Sequence, residues 1–539
     1  MAGPVWNFAD VWELVGAEQG ERLAVIQGDK TLTWAEFDAR SDALAQAFVV
    51  AGAGRQAKVG CYLANCAEYM IATFAAFKAG MVPFNVNYRY GSEELAYLFD
   101  NADAEIVVFD AEYAERIDPL RARLPGVKAW ISHGEPTPGW ALDLAALAAQ
   151  PAPHPYRAPW GRSGEDEMFI YTGGTTGMPK GVMWRQEDLF AASRFYENIP
   201  LNIPGLKTPQ DAPGRAAKYG RGVLLIASPL MHATALISAF TALCGGDALV
   251  LLPSRRFNAA ELLDEVERCA VTRFVGVGMP FFTPILEALD AHPGRWACPA
   301  LRAIGSSGAM WSYENKQGLL RHLPHISLSD SYGASEAFGM GQSISTAGGE
   351  VETAKFVIGE DVALFTEDGR RVEPGSGERG RIALAGPMPQ GYYKDPEKTA
   401  RTFPTLEGRR WSMPGDWATV EEDGSLNVLG RGSQCINTGG EKVFPEEVEE
   451  ALKRHGAIRD AAVVGLPDPR FGETITAVVE LSAGAEAPGV DELKAWVRGQ
   501  LADYKAPRRV LVVESVGRSP NGKLDYGALK KVAAEGLGA

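Results

Sequence analysis

The sequence predicts an α/β protein: a large N-terminal lobe of αβ sandwich sheets carrying a small β subdomain, then a smaller α+β C-terminal lobe on a hinge. Three observations predict it. Strand and helix signals alternate over residues 33–110 and again over 223–290, the pattern of stacked, largely parallel sheets. From about residue 357 the chain turns β-rich and carries an Asp-Gly turn between short apolar runs. A Gly- and polar-rich stretch, Gly430–Gly440, then precedes a compact mixed unit.

Each element has its own local reason. Thr33-Trp-Ala-Glu36 has the spacing of a capping box, in which hydroxyl and carboxylate each satisfy an orphan N–H. It opens an amphipathic helix through Phe37, Leu44, Ala45 and Phe48 that ends near Gly52. Lys58–Leu63 reads as a buried strand, Ala67–Ala79 as a helix stopped by Gly80, and Val82–Val86 as a strand. Ser92 is expected to cap the next helix, with Glu105–Asp110 forming the strand after it. Strands are expected at 223–227, 247–252 and 273–277, with helices between them. Residues 200–222, richer in Pro, Gly and Lys/Arg, read as a surface loop.

Val357–Val372 reads as a strand, an Asp368-Gly369 turn and a second strand, opening a β subdomain at about 357–430. In the last part, Pro445 starts a helix through His455. Strands at 460–465 and 474–481, a helix at 490–503 and a strand at 508–514 follow. The expected division is 1–432 for the N-terminal lobe and 433–539 for a mobile C-terminal lobe.

Composition narrows the function classes. At roughly 100–200 residues per domain, 539 residues allow three or four folding units. Apolar residues are 46% and charged residues 22%, enough for real cores. A net charge of −15 and a pI near 5.2 argue against a nucleic-acid partner, which needs a basic face. The six Cys form no CxxC pair, and no His stands at metal-ligand spacing from them, so free thiols in a reducing compartment are expected. The N-terminal stretch lacks a basic region and is interrupted by Asp10 and Glu13, unlike a signal peptide. No apolar run reaches the ~18 residues of a membrane span. The expectation is a cytoplasmic protein without a transmembrane segment; its oligomeric state is open, a homodimer being among the options.

The richest stretch is Tyr171-Thr-Gly-Gly-Thr-Thr-Gly-Met-Pro-Lys180-Gly-Val, directly after an apolar run. It is not a Walker loop, because Pro179 precedes the Lys and Gly181 follows it. The physics still favours an anion. Gly173, Gly174 and Gly177 permit tight backbone, the Thr172, Thr175 and Thr176 hydroxyls donate, and Lys180 brings charge. A plain surface turn fits the loop taken alone.

Further stretches follow in a fixed order: Pro229-Leu-Met-His232, Tyr332-Gly333-Ala-Ser335-Glu336, Gly415-Asp416, Gly430-Arg431, Gly439-Gly440-Glu441-Lys442-Val-Phe-Pro445, and Pro520-Asn-Gly522-Lys523. Together with the Thr/Gly loop they resemble the motifs of the adenylate-forming superfamily, across nearly the whole chain. Through MPKGVMWR and INTGGEKVFPEEVE the chain most resembles bacterial fatty-acid and sterol side-chain acyl-CoA ligases.

The resemblance implies an acid–CoA ligase using ATP, Mg2+ and coenzyme A. A carboxylate would attack the α-phosphorus to give acyl-AMP and pyrophosphate, and a thiol would then displace AMP. Lys523 would be the principal catalytic cation. Glu336 would hold Mg2+, a hard ion suited to carboxylate oxygen. His232 would lie by the acyl pocket and the substrate carboxylate. Residues 172–177, Lys180, Gly308, Tyr332, Gly333, Ser335, Asp416 and Arg431 would bind ATP, with Tyr332 on adenine and Asp416 and Arg431 on the ribose. Ser335 replaces the usual Thr but keeps the hydroxyl. Gly439, Gly440, Glu441 and Lys442 would line the coenzyme A channel.

The family usually has Lys-Asp at the hinge where this chain has Ser433-Gln434, so the pivot is expected at Gln434, aided by Gly432. Gly276, Gly278, Ser306, Ser307 and Gly308 would face the acyl pocket. Their small size suggests room for a fatty, branched, aryl-alkanoic or sterol side-chain acid, although small residues also simply permit close backbone packing. Three rivals stand beside this reading: an adenylation enzyme loading a carrier protein, a luciferase-like oxygenase, and a non-catalytic binding protein with the same fold.

Overall fold

The computed structural model describes residues 6–174, 177–192, 203–206, 208–219, 221–309, 311–349, 355–438, 441–468, 472–501, 503–519 and 522–538. Two eight-stranded sheets form the large lobe. In the first, Ser327–Ala334, Ala303–Ser307, Arg273–Gly276, Val223–Ile226, Ala248–Leu251 and Leu23–Gln27 run parallel in that spatial order. Antiparallel Ala337–Thr346 and Lys30–Thr33 close its two ends. The second sheet has Val82–Asn85, Lys58–Tyr62, Ala104–Asp110, Ala129–His133 and Leu142–Asp143 as its parallel part. Beyond Val82–Asn85 come the hairpin Glu167–Gly174/Gly177–Arg185, whose first arm runs parallel to it, and the edge strand Gly391–Tyr392. Crossovers explain the order: the first strand in sequence, Leu23–Gln27, crosses to the sheet built later, so the N-terminus ties the two sheets together.

The main core lies between these sheets. The helices Trp34–Val50, Ala67–Lys78 and Ala233–Cys244 contribute buried faces to one cluster with strand residues of both sheets, including Val59, Val108, Leu224 and Leu249. Aromatic side chains fill it: Trp12 meets Phe74 edge-on at 5.1 Å and Phe240 at 5.4 Å, the geometry favoured by ring quadrupoles. Separate apolar clusters cover the outer face of each sheet, with the helices Ala259–Arg268, Met279–Ala291 and Tyr313–His322 on one and Ser92–Asn101 on the other. The result is helix and sheet in alternating layers, as the periodicity predicts.

A five-stranded sheet follows, from Lys355–Phe356 to Leu426–Arg431. The small lobe has its own sheet, in which Ile458–Asp468 and Gly472–Leu481 form a long antiparallel pair and Arg509–Val513 runs parallel to the latter. Pro445–Lys453 and Val490–Arg498 share one buried cluster and Tyr526–Leu537 another. The small lobe touches the large one. A Cβ built on Gly522 would stand 3.0 Å from the Ala309 Cβ and 3.4 Å from Pro280, and Tyr504 Oη accepts from Arg379 at 3.4 Å.

Local expectations differ from the structure in three places. Ser92 is the first helical residue rather than the cap: Gly91 caps, with its N–H donating to Glu94 at 2.8 Å. The Asp368-Gly369 turn exists, with Gly369 at φ +82°, but its second arm shrinks to one bridge, Phe365 with Arg371. The real partner of Val362–Phe365 is Gly380–Leu384. Residues 211–219, expected within a loop, form a helix. Pro213 sits in its first turn, where a missing N–H costs nothing, and the Asp211 carboxylate reaches back to the Thr208 N–H at 2.8 Å. Among the described residues no helix is long and apolar enough to cross a membrane, and none of the six Cys is in a disulfide.

Candidate active site

The Thr/Gly loop is the tip of a β-hairpin, not the start of a helix. Thr172 pairs with Lys180 and Gly174 with Gly177 across the ladder. Without a helix terminus there is no macrodipole to draw an anion, so attraction must come from loop donors and Lys180. Thr175 and Thr176 lie outside the described residues. Gly181 is required sterically: a Cβ there would sit 2.9 Å from the Tyr171 ring. Burial pushes the Tyr171 hydroxyl well above its ordinary pKa, and it donates to Asn101 at 2.8 Å.

Lys180 is held by Asp395 at 2.5 Å. The Lys180 ammonium keeps that carboxyl below the usual range. Ending three residues upstream of Asp395, the neighbouring strand Gly391–Tyr392 pairs with Val182 and Met183 of the hairpin. Tyr392 Oη donates to the Glu336 carboxylate at 2.5 Å. One short segment thus positions both the loop cation and the acid expected to face metal.

Glu336 stands in the turn between Ser327–Ala334 and Ala337–Thr346 and is buried. Its carbonyl accepts from Ser412 Oγ at 2.7 Å, and the Ser335 carbonyl accepts from Trp184 Nε1 at 2.9 Å. Gly333 belongs there because a Cβ would lie 2.9 Å from the Ala337 carbonyl oxygen. Tyr332 Oη donates to Asp416 at 2.7 Å, so the expected adenine and ribose residues are in contact. Asp416 lies opposite Arg431 in the antiparallel ladder, which sets both backbones side by side. Gly432–Gln434 forms a tight 3-10 turn immediately after, and the next strand, Ile436–Thr438, belongs to the small lobe. Gly439 and Gly440 lie outside the described residues; Glu441 and Lys442 open the short strand Glu441–Val443.

His232 precedes the helix Ala233–Cys244 at its cap position. Burial pushes its imidazole pKa down to about 3, with further depression from the charges of Lys523 and Arg89. Lys523 therefore comes from the far end of the chain to the electrostatic vicinity of His232. The folded value lies below the free one, so between pH 6.5 and about 3 the unfolded chain binds the extra proton. This contribution to stability is present above the free value and lost as pH falls, by at most about 1.4 kcal/mol per pH unit. His232→Gln is expected to reduce the loss of stability between about pH 7 and about pH 5, measured by denaturant midpoints. An unchanged loss would contradict a buried neutral imidazole.

The expected pocket segments separate into two groups. Gly278 sits at φ +56° and its N–H donates to Ser306 Oγ at 3.1 Å. Gly308 sits at φ +83°, with Thr234 Oγ1 3.5 Å from a built Cβ. Ser307 follows Ser306 at the end of the strand Ala303–Ser307. Gly276 is different: a Cβ would meet the Phe282 ring at 3.0 Å, so its small size serves helix packing.

Sequence patterns missed Asn85. Its amide donates to the Tyr171 and Met231 carbonyls at 2.9 and 2.6 Å and accepts from the Tyr171 N–H at 2.8 Å. It clamps the Thr/Gly hairpin to the residue before His232. A buried Asn inside a four-residue apolar strand was the available signal. The fold also brings Cys66, Asp110 and His133 within 4.8 Å of one another, although spacing alone sets no His beside a Cys. Asp110 accepts from the Ala64 N–H at 2.9 Å and lies 3.3 Å from Arg255, and burial still pushes its carboxyl above the usual range.

Comparison with known proteins identifies the family. The AMP-binding enzyme family matches residues 12–393, and the AMP-binding enzyme C-terminal domain matches 447–523. A medium/long-chain-fatty-acid–CoA/3-oxocholest-4-en-26-oate–CoA ligase of Mycobacterium tuberculosis is 38% identical, covering 96% of this chain and 95% of that protein. A 3-oxocholest-4-en-26-oate–CoA ligase of Rhodococcus rhodochrous is 37% identical over 96% of this chain and 94% of its own length. In fold, the anthranilate CoA ligase AuaEII, solved with anthranoyl-AMP, superposes with a TM-score of 0.85 at 21% identity, covering 100% of this chain and 99% of its own. With both halves matched and relatives aligned over nearly their full lengths, the chain belongs to the adenylate-forming, AMP-binding enzyme superfamily.

Proposed function

We propose that this protein is an ATP-dependent, AMP-forming acid–CoA ligase for an apolar carboxylic acid of the fatty or sterol side-chain kind. One observation carries the reading: the turn bearing Lys523 is seated on Ala309 and Pro280, with the Lys523 charge felt at His232. An ammonium at the junction of acyl segment and nucleotide site is what adenylation requires. As the carboxylate oxygen bonds to the α-phosphorus, the bond to the bridging oxygen breaks and pyrophosphate leaves. Charge spreads over the transferring group, and preorganised cations stabilise it. Lys180 would exchange Asp395 for phosphate oxygens. Asp416 and Arg431 would hold the ribose, and Tyr332 the base.

Glu336 fits a magnesium ion: it is a buried hard-oxygen donor with a hydrogen bond from a phenol and no cation paired to it among the described residues. The ion would supply charge neutralisation at the phosphates. His232, neutral, would contact the acid without adding charge. In the second step the thiol sulfur bonds to the acyl carbon and AMP leaves, with Gly439, Gly440, Glu441 and Lys442 along the pantetheine path after a rotation at Gln434. The proposal includes a cytoplasmic setting, where both co-substrates are available and the thiols stay reduced.

A panel of acids assayed for coenzyme A-dependent AMP release tests it. Medium- and long-chain fatty acids and a sterol side-chain acid are expected to release AMP and form thioester, and amino acids to do neither. AMP release that needs a carrier protein, or none with any acid, would overturn it.

A further inference from the structure

Lys523 leaves the small lobe between two peptides that are each tied by hydrogen bonds. Gly522, at φ +75°, takes the left-handed conformation. Its N–H donates to the Ser519 carbonyl at 2.7 Å. The Lys523 carbonyl accepts twice from Ser519, from the backbone N–H at 2.9 Å and from Oγ at 2.8 Å. The Gly522 carbonyl, part of the peptide that carries the Lys523 N–H, accepts from Arg518 Nη1 at 3.1 Å. Both rigid peptide planes flanking the Lys523 Cα are therefore held. With both fixed, φ and ψ are fixed, and so is the direction of the Cα–Cβ bond.

Arg518 is anchored deeper. Its Nε and Nη2 form a fork on Asp460 at 2.6 and 3.0 Å, and Nη2 also reaches the Ala461 carbonyl at 3.2 Å. Both partners belong to the strand Ile458–Asp468. Beside this fork lies Glu449, buried in the helix that follows the hinge; it accepts from the Val463 N–H at 2.9 Å and from Tyr526 Oη at 3.0 Å. Lys453 of the same helix lies 3.8 Å from Asp460. The turn is thus referenced to the sheet and, through these charges, to the helix beside the pivot. The Lys523 side chain is long and exposed. A wandering backbone beneath it would add error that the chemistry does not tolerate: a misplacement of about 1 Å costs on the order of 10²-fold.

We propose that Arg518 and Ser519 are positioning residues for adenylation, acting through Lys523 by fixing the peptide planes on either side of it. This rests on the proposed role of Lys523. The test measures the two half-reactions separately in Arg518→Met, Ser519→Ala and Lys523→Ala: acyl-adenylate formation, and thioester formation from supplied acyl-AMP. Arg518→Met is expected to lower adenylate formation roughly 30–100-fold, with KM for ATP moved less than about threefold and the thioester step within about threefold. Ser519→Ala keeps the backbone N–H bond and should show the same pattern at roughly 3–10-fold. If Arg518→Met does not fold, the partly exposed Ser519 variant decides. Equal loss in both half-reactions would reduce the pair to structural support and overturn the proposal. So would normal adenylation in both variants while Lys523→Ala is inactive. Normal adenylation in Lys523→Ala would instead refute the role of Lys523, and the brace with it.

Discussion

Lys523→Ala is expected to lower acyl-adenylate formation at least about 10²-fold while sparing thioester formation from supplied acyl-AMP. The size follows from the charge. At an effective dielectric near 20, one ion pair about 4 Å apart is worth about 4 kcal/mol, and water admitted by truncation recovers only part of it. The selectivity follows from the step: negative charge migrates onto pyrophosphate only in the first half-reaction. A second readout is independent of turnover. The Lys523 charge helps to depress the His232 pKa, so its removal should raise that value, while burial still holds it below the free imidazole. Titration of the imidazole by NMR would show this. Equal damage to both half-reactions would remove the assigned division of labour.

Lys78→Met is expected to destabilise the large lobe by about 3–5 kcal/mol, the range for breaking a buried pair from one side. Lys78 is fully buried and lies 2.8 Å from Glu13, 2.5 Å from Asp38 and 2.5 Å from Asp42. The loss is not shared equally. Glu13 keeps Arg157 and Arg162 at 2.7 and 2.6 Å, and Asp42 keeps His154 and the Tyr156 N–H at 2.6 and 2.9 Å. Asp38, whose carboxyl burial already pushes above its usual range, is left most exposed to the change. Such a carboxyl, with its folded value above its unfolded one, favours the folded state at low pH and loses that contribution as pH rises. The deficit of the variant should therefore narrow on acidification. Denaturant unfolding at neutral and mildly acidic pH tests both parts; a deficit under about 1 kcal/mol would show the carboxylates rehydrated.

Much of the fold was legible because it is local. The Thr33/Glu36 box forms as expected, with the Glu36 carboxylate accepting the Thr33 N–H at 2.8 Å, and the parallel strands fall within a residue or two of the apolar runs. What was not legible depends on partners far along the chain. The arm after Asp368-Gly369 has the composition of a strand, yet Val362–Phe365 pairs with Gly380–Leu384 instead. Motif residues such as Lys180, Glu336 and Asp416 were visible as residue types in order. Asp395 and Tyr392, which hold Lys180 and Glu336, and Asn85, which clamps Tyr171 and Met231, carry no motif signal, since each acts through long-range contacts. Gly276 shows the same limit in reverse: small size in sequence cannot distinguish a cavity wall from a packing seam.

The ladder that sets Asp416 opposite Arg431 runs directly into the 3-10 turn ending at Gln434. The proposed seat for the sugar and the proposed axle of the smaller lobe are consecutive stretches of one backbone. A swing about that axle would begin within three residues of the seat, leaving almost no slack in which the two could move independently.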